Sequence, residues 1–580
     1  MNALLYLRTR ARVRPLAFSL ALAFGSAVAS PHSDALPGSE LDAAIPQWMS
    51  EVDKVVFRKQ LERLAARVPP DVPAGSVPVS NCDDSGPGSL RDAVNSAVDG
   101  DTIDMTALAC STITLTSGAI AIPFDSLTIQ GPNALLLTID GGYGDRVFWH
   151  LGFGQLTIAD VSVSHGRKYL NEGDNGAAAG GCIFSTGNVK FNDSWASYCT
   201  VGSNDDTVAV RGGAIYGENG VFLNGSIVTG SKAYGAIDSR GGGVYTPGDL
   251  LVFYSTISGN RATTTGGGVQ VGSGRGTAGG YARIKYSTIN ANTQGLNGYV
   301  QGGGGVYLTG DAYISNTTIS GNVGCRGVGI YLANAGNATG PATIYSSTVS
   351  GNSGTYCGFN NGGGGVQSAN EDMVIMDSTI AFNTYSDNRT ENKYGAGVRM
   401  RNANTLDLEN TIIAGNMVQN ITSFPDFVPD DIGGRTGASV VGANNLVYFT
   451  DIVLPAGTIL LTDPSLRALD ANGGLTATHM PNFGSPVIDF GNNVSGATVD
   501  QRGPRDIHAF SAPCPTSVRS SSIFPMRSSR TGSIRKPDGT CKVELRTRAE
   551  SNMRAFRDMA FDRIGRVRRS RSAALRQAVT

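Results

Sequence analysis

The sequence predicts an all-β protein built as a right-handed parallel β-helix, a solenoid of about ten to twelve coils. Three observations carry this expectation. First, a six-residue string recurs: "STISGN" (Ser255–Asn260), "TTISGN" (Thr317–Asn322) and "STVSGN" (Ser347–Asn352), with looser copies "STINAN" (Ser287–Asn292) and "STIAFN" (Ser378–Asn383). Aligned on its last position, the string extends through Gly166, Cys199, Ser231, Asn260, Asn292, Asn322, Asn352, Asn383, Asn416 and Asn444, at intervals of 28 to 33 residues. A fixed period in that range marks stacked repeats. Second, an aliphatic residue precedes the Ile or Val of the string by five positions: Val252, Ile284, Ile314, Ile344 and Ile375. Side chains alternate faces along a strand, so two inward residues five apart require a bend between them, and a small Ser or Thr falls in that gap. Third, each coil returns through a glycine cluster before another aliphatic, as in "GGGVY" (Gly241–Tyr245, Gly303–Tyr307) and "GGGVQ" (Gly266–Gln270, Gly363–Gln367). Three short strands and two bends per coil follow.

The elements upstream fit an exported repeat protein. Arg8, Arg10, Arg12 and Arg14 precede an apolar run from Leu16 to Phe24, and Ala27-Val28-Ala29 supplies a small-x-small cleavage signature. The run is too short to span a bilayer, so residues 1–29 read as a secretory signal peptide. No later segment is apolar enough to cross a membrane as a helix. Residues 30–80 read as a helical and Pro-rich linker: Val52, Val56, Phe57, Leu61 and Leu64 recur at helical spacing before "VPPDVPAGSVP". Residues 81–126 read as the cap of the solenoid. There Ser89 and Asp92 resemble a capping box, Leu90, Ala93, Val94 and Ala97 make one apolar helix face, and Gly100 stops the helix. Such a lid is needed because an uncovered β stack exposes apolar rows. The coils then occupy 127–505, and a basic Ser/Arg-rich tail takes 506–580. The tail reads as disordered, or as a segment that binds anionic polymer or a membrane surface.

Composition agrees. The chain of 580 residues has 77 Gly, only 16% charged residues and a net charge of -1, which fits a turn-rich β protein and argues against nucleic acid as a partner. Eight cysteines in an exported chain suggest disulfides. Sequence alone does not give connectivity, but the order permits Cys82–Cys110, Cys182–Cys199, Cys325–Cys357 and Cys514–Cys541. The repeat places Cys325 and Cys357 in loops of adjacent coils. Cys182 takes a glycine-cluster position and Cys199 a ladder position, so that pair would close one coil on itself. No C-x-x-C or H-x-x-x-H spacing points to a metal, and no cofactor is expected.

With the repeat in view, a resemblance becomes specific. The coils look like the repeats of the pectate-lyase-like superfamily of right-handed parallel β-helices. "GSLRDAVNSAVDGDTI" resembles the CSLREA-type N-terminal segment of secreted bacterial β-helix proteins, including relatives of the polymorphic outer-membrane proteins. "GSPVIDFGNN…DQRGPR" (Gly484–Arg505) resembles the end of the choice-of-anchor Q family. The resemblance covers roughly Asn81 to Arg505 and implies fold and export; it brings no catalytic signature. The chain departs from those families after Arg505, where the basic tail replaces the usual closing strand.

Two sets of residues are candidates for a role. Equal positions on successive coils are neighbours at ~4.8 Å, so Asn260, Asn292, Asn322, Asn352, Asn383 and Asn416 should form a ladder of buried amides. The loops after each ladder residue vary in length and carry Tyr299, Tyr356, Phe359, Tyr385, Asp387 and Arg389. Aromatic rings beside polar groups, on loops of a rigid scaffold, suit a polysaccharide or a cell-surface glycan. The expected role is adhesion or glycan binding at the cell surface or outside the cell. The alternative is a polysaccharide lyase or glycoside hydrolase of the same fold. Against it, "ARIKYSTI" (Ala282–Ile289) holds an Arg-Ile-Lys string known from polygalacturonases, but its acidic and histidine companion motifs are missing. Asp205/Asp206, Glu371/Asp372 and Asp430/Asp431 are chain neighbours, which point apart in a strand.

Overall fold

The computed structural model describes residues 38–503, apart from 172–177, 206, 236–237, 273–278, 296–301, 334–337, 356, 358–361, 388–394, 421–423, 493–494 and 496–498. Residues 1–29, expected to be a signal peptide, the basic tail, and Cys514 and Cys541 lie outside the described residues.

The described chain is a parallel β-solenoid. One coil shows its plan: Ala282–Lys285 in sheet 1, Thr288–Asn290 in sheet 2, Thr293–Gln294 in a short sheet 3, and Val306–Leu308 in sheet 4. Each strand pairs in parallel with its equivalent one coil on, Ile284 against Ile314 and Ile289 against Ile319. There is one strand more than the repeat predicted, because each ladder residue is followed by a two- to four-residue strand before the glycine cluster. About nine turns carry all four sides; three-sided turns at the ends lengthen the stack, so that sheets 1 and 2 have 13 strands each and sheet 4 has 11. The spacing predicts ten to twelve coils, and the stack has about nine full turns.

The three inward rows are those read from the sequence. Val252, Ile284, Ile314, Ile344 and Ile375 line sheet 1, Ile257, Ile289, Ile319, Val349 and Ile380 line sheet 2, and Val244, Val269, Val306 and Val366 line sheet 4, all at 1% exposure or less. They form one continuous apolar core along the axis.

The bends have a common chemistry. Between sheets 1 and 2 a left-handed residue (Tyr254 φ 51, Tyr286 φ 50, Asn316 φ 50, Ser346 φ 48, Asp377 φ 49) turns the chain. The hydroxyl residue after it does more than allow the bend: it accepts from the backbone of the coil before. Ser255 Oγ accepts from Ser226 N at 3.0 Å, Ser287 Oγ from Ser255 N at 3.2 Å, and Ser347 Oγ from Thr317 N at 3.2 Å. The second bend again uses a left-handed residue, Gly at 259, 321 and 351, and the ladder Asn follows it. Asn292 Oδ1 accepts from both the backbone N and the Nδ2 of Asn260, each at 3.0 Å, while Asn260 Nδ2 also donates to Val228 O at 3.0 Å. The same set repeats through Asn322, Asn352, Asn383 and Asn416.

The ladder's last member corrects the alignment. Asn416 is followed by Asp431, not Asn444. Asn444 is the left-handed bend residue (φ 57), and its neighbour Asn445 ends the hydroxyl row by accepting from Thr411 N at 2.9 Å.

Three of the expected disulfides are present. Cys182–Cys199 closes one coil with Cα atoms 5.4 Å apart, Cys325–Cys357 joins adjacent coils at 5.8 Å, and Cys82–Cys110 ties the cap at 6.5 Å. Helix α3 (Leu90–Ser96) is the lid: Ser89 Oγ accepts from Asp92 N at 3.1 Å, and Leu90, Ala93 and Val94 enter the core at its open end.

Residues 38–66 are not a linker. Helices α1 (Gly38–Ala44) and α2 (Glu51–Ala65) lie against the outside of sheet 2, where Phe57, Leu61 and Leu64 pack on Ala134 and Ile227 and against Trp195. Arg63 and Arg67 reach Asp193 at 3.3 Å, and Arg67 reaches Asp160 at 3.0 Å. The other end behaves likewise. After the last solenoid strand, Ile459–Leu460, residues 464–503 double back over sheet 2 as a strap that includes a hairpin of Leu466–Asp470 with Thr478–Pro481. Gln501 of the DQRG segment pins it: its Nε2 donates to Thr318 Oγ1 at 2.9 Å, and its Oε1 accepts from Thr348 Oγ1 at 2.6 Å. The two coverings meet where Lys59 Nζ donates to Gly474 O at 2.9 Å. The coils themselves therefore end short of 505.

Candidate binding face

Sheet 2 is hidden under α2 and the strap, and the outward tyrosines of sheet 4 are buried. The outer face of sheet 1 is the broad side left half-open. Strand alternation fills it: between inward Leu223, Val252, Ile284, Ile314 and Ile344, the outward row reads Phe222, Leu251, Arg283, Tyr313 and Thr343 in register. A second outward row, two residues on, reads Phe253, Lys285, Ser315 and Tyr345.

The polar and aromatic groups of this face are organised. The Arg283 guanidinium sits 5.6 Å over the Tyr313 ring, and the Lys285 ammonium 5.5 Å over the Tyr286 ring. Tyr254 and Tyr286, one coil apart at the bend, stack at 5.1 Å with a 3° interplanar angle. Tyr254 and Tyr281 are 38% and 39% exposed. Partial burial, with Arg283 alongside, lowers the pKa of Lys285, and burial raises those of Tyr281 and Tyr286. Arg283 Nε is buried without a hydrogen-bond partner. Rings repeating at about the strand spacing, with cations between them, present a surface for flat, hydroxylated ligands.

The loop residues singled out from the sequence fare differently. Tyr299, Tyr356, Phe359 and Arg389 lie outside the described residues. Asp387 closes the sheet 3 strand Thr384–Asp387, and its side chain is outside them too. Tyr385 corrects the expectation: it is 0% exposed, packed with Ala396 and Val418, with its ring over Gly354 of the preceding coil. The reason is that sheet 3 continues into what looked like loop, and Tyr385 falls on its inward side. Five coils earlier in the same sheet, Tyr234 is 37% exposed beside Tyr169, and Asp238 pairs with Arg240.

Sequence reasoning passed over the sheet 1 face. The Arg-Ile-Lys string does follow strand alternation, with Ile284 fully buried. That same alternation sends Arg283 and Lys285 outward together. The signal was available: aromatic and basic residues at the positions between inward aliphatics.

The acidic pairs divide between turn bonds and burial. Asp372 Oδ1 accepts from Thr405 N at 2.7 Å while Glu371 turns inward, at 3% exposure. Burial, reinforced by Asp311 and Asp372, pushes the Glu371 carboxyl up to about 8. Asp430 Oδ2 accepts from Gly395 N at 2.9 Å, and Asp431 belongs to the ladder. Among the described residues no group of three His, Cys, Asp or Glu could hold a metal ion.

These features define a disulfide-bonded parallel β-solenoid with one aromatic and cationic face. The disulfides point to an oxidising, extracellular setting, and no described helix is long and apolar enough to cross a membrane. No known protein family, curated protein or solved structure matches the chain.

Proposed function

We propose that this protein is an exported surface or extracellular solenoid that binds a polysaccharide or cell-surface glycan, in an adhesive rather than enzymatic role. The observation that carries the reading is the half-open face of sheet 1, with Tyr281, Arg283, Lys285, Tyr313 and Tyr345 outward on a rigid stack. Its support from the sequence is the signal-peptide pattern of residues 1–29 and the resemblance to CSLREA-type and choice-of-anchor Q segments. With Tyr385 buried, sheet 1 takes the place first given to the variable loops.

The test is affinity electrophoresis of the mature chain through gels cast with a panel of polysaccharides. At least one polysaccharide should retard the wild type, and Tyr313→Ala and Arg283→Ala should each weaken that retardation. A panel without retardation, or retardation equal in both variants, sinks the reading. Loss of viscosity or release of unsaturated sugars would favour the lyase or hydrolase alternative.

A further inference from the structure

A different side of the solenoid holds polar atoms that the fold itself does not use. On the outer face of sheet 4, Tyr331, Gln367 and Arg399 stand in register on successive strands, and Gly433 follows them. Gln367 is 0% exposed, yet neither its Nε2 nor its Oε1 has a hydrogen-bond partner. Beside it Arg399 Nη1 is also buried without a partner. Leaving such groups unpaired costs about 1–3 kcal/mol each, more for a charged one, so three on two neighbouring side chains call for an explanation.

The surroundings favour an anion. The Tyr385 phenol, Arg435, Asp430 and Arg401 all act on Arg399, and the one carboxylate among them, Asp430, already accepts from Gly395 N at 2.9 Å through its Oδ2. Burial pulls the Arg399 guanidinium down to about 10, so it stays charged at neutral pH. Gly433 places no side chain above it, and Gly362 (φ 117) leaves room for the guanidinium where a Cβ would collide with Nη1. Arg399 as a whole is partly buried, while its Nη1 and the Gln367 amide are closed off from solvent.

We propose that Arg399 and Gln367 form a binding site for a small hydroxycarboxylate. Its carboxylate accepts from Arg399 Nη1 and Gln367 Nε2, and its hydroxyl donates to Gln367 Oε1. This satisfies all three orphan atoms with one ligand and places a negative charge where guanidinium groups predominate. The site is independent of the sheet 1 face.

The experiment is isothermal titration of glycolate and, separately, acetate into the full mature chain at constant ionic strength. Glycolate should bind saturably and more tightly than acetate, which lacks the donor for Gln367 Oε1. Arg399→Gln should weaken glycolate roughly tenfold or more, and the near-isosteric Gln367→Glu should do the same by setting a like charge beside the ligand. Tyr313→Ala, on sheet 1, should leave glycolate binding unchanged, so failure here and failure of glycan binding are told apart. Absence of saturable glycolate binding overturns the proposal. So does binding unchanged in a folded Gln367→Glu variant, or a glycolate-soaked crystal with only ordered water between Gln367 and Arg399.

Discussion

Asn416 Nδ2 donates to Asp431 Oδ1 at 2.7 Å, and so the buried asparagine ladder ends on a carboxylate. Asp431 Oδ1 also accepts from Asn416 N at 3.0 Å, and its Oδ2 from Phe449 N at 2.9 Å. A seventh amide would turn an N–H toward Phe449 N; an acid offers acceptors on both sides. Every ladder bond upstream hands its donors on in one direction, and Asp431 is where the direction stops.

The ladder should matter to stability at any rung. Asn322→Ala strips Asn292 N and Nδ2 of their shared acceptor and removes the Nδ2 donor to Ile289 O and Asn352 Oδ1, while the backbone N–H of residue 322 still reaches Asn352 Oδ1. The expected loss is on the order of 2–4 kcal/mol, measured by urea unfolding, because buried groups of the preceding coil lose their partners. Asn402→Ala, on a turn at the surface, should cost under about 1 kcal/mol.

Stability should depend on pH through Glu371. Its folded pKa of about 8 lies above the ordinary 4.5, so the protonated form is the one the fold prefers. The contribution is complete below about pH 4.5 and is lost as pH rises toward 8, on the order of 2 kcal/mol. Thermal midpoints should therefore fall between pH 5 and pH 8.5, and Glu371→Gln should flatten that slope. A midpoint that rises over this range in the wild type would falsify the assignment.

The disulfides should respond to reductant in order of burial. Cys182 and Cys199 are both fully buried, whereas Cys82 and Cys110 are partly exposed. Mass spectrometry after graded reduction and alkylation should find Cys82–Cys110 open first and Cys182–Cys199 last. Replacing Cys325 and Cys357 with Ser should cost about 3–4 kcal/mol, the value for a closed loop of that length, 32 residues.

The strap should be separable from the coils. Gln501→Leu removes the bonds to Thr318, Thr348 and Thr476 while the solenoid core stays intact. Limited proteolysis should then cut within 464–503 faster than in the wild type and leave a resistant fragment that ends near Leu460. Equal cleavage of both proteins would show that Gln501 is not what holds the strap.

Much of the architecture was legible because a solenoid repeats its local rules. The period, the inward aliphatics and the Cys325–Cys357 pairing all follow from contacts between one coil and the next. What failed to show were the relationships that skip coils. Nothing in "EVDKVVFRKQLERLA" says that its apolar face meets Ala134 and Ile227, or that the DQRG segment returns to Thr318. Tyr385 was misread because the end of a two- to four-residue strand has no periodic signature of its own.

The sequence by itself determined the stack: alternation at a period of two within strands, nested in a period near 30 residues, admits one kind of core. Only the tertiary structure decided which sides of that stack meet solvent. Covering sheet 2 with α2 and the strap requires apolar and hydroxyl contacts between residues far apart in the chain, such as Gln501 and Thr318, and no local pattern encodes such a meeting. That covering leaves sheet 1, with Arg283 over Tyr313, as the open face.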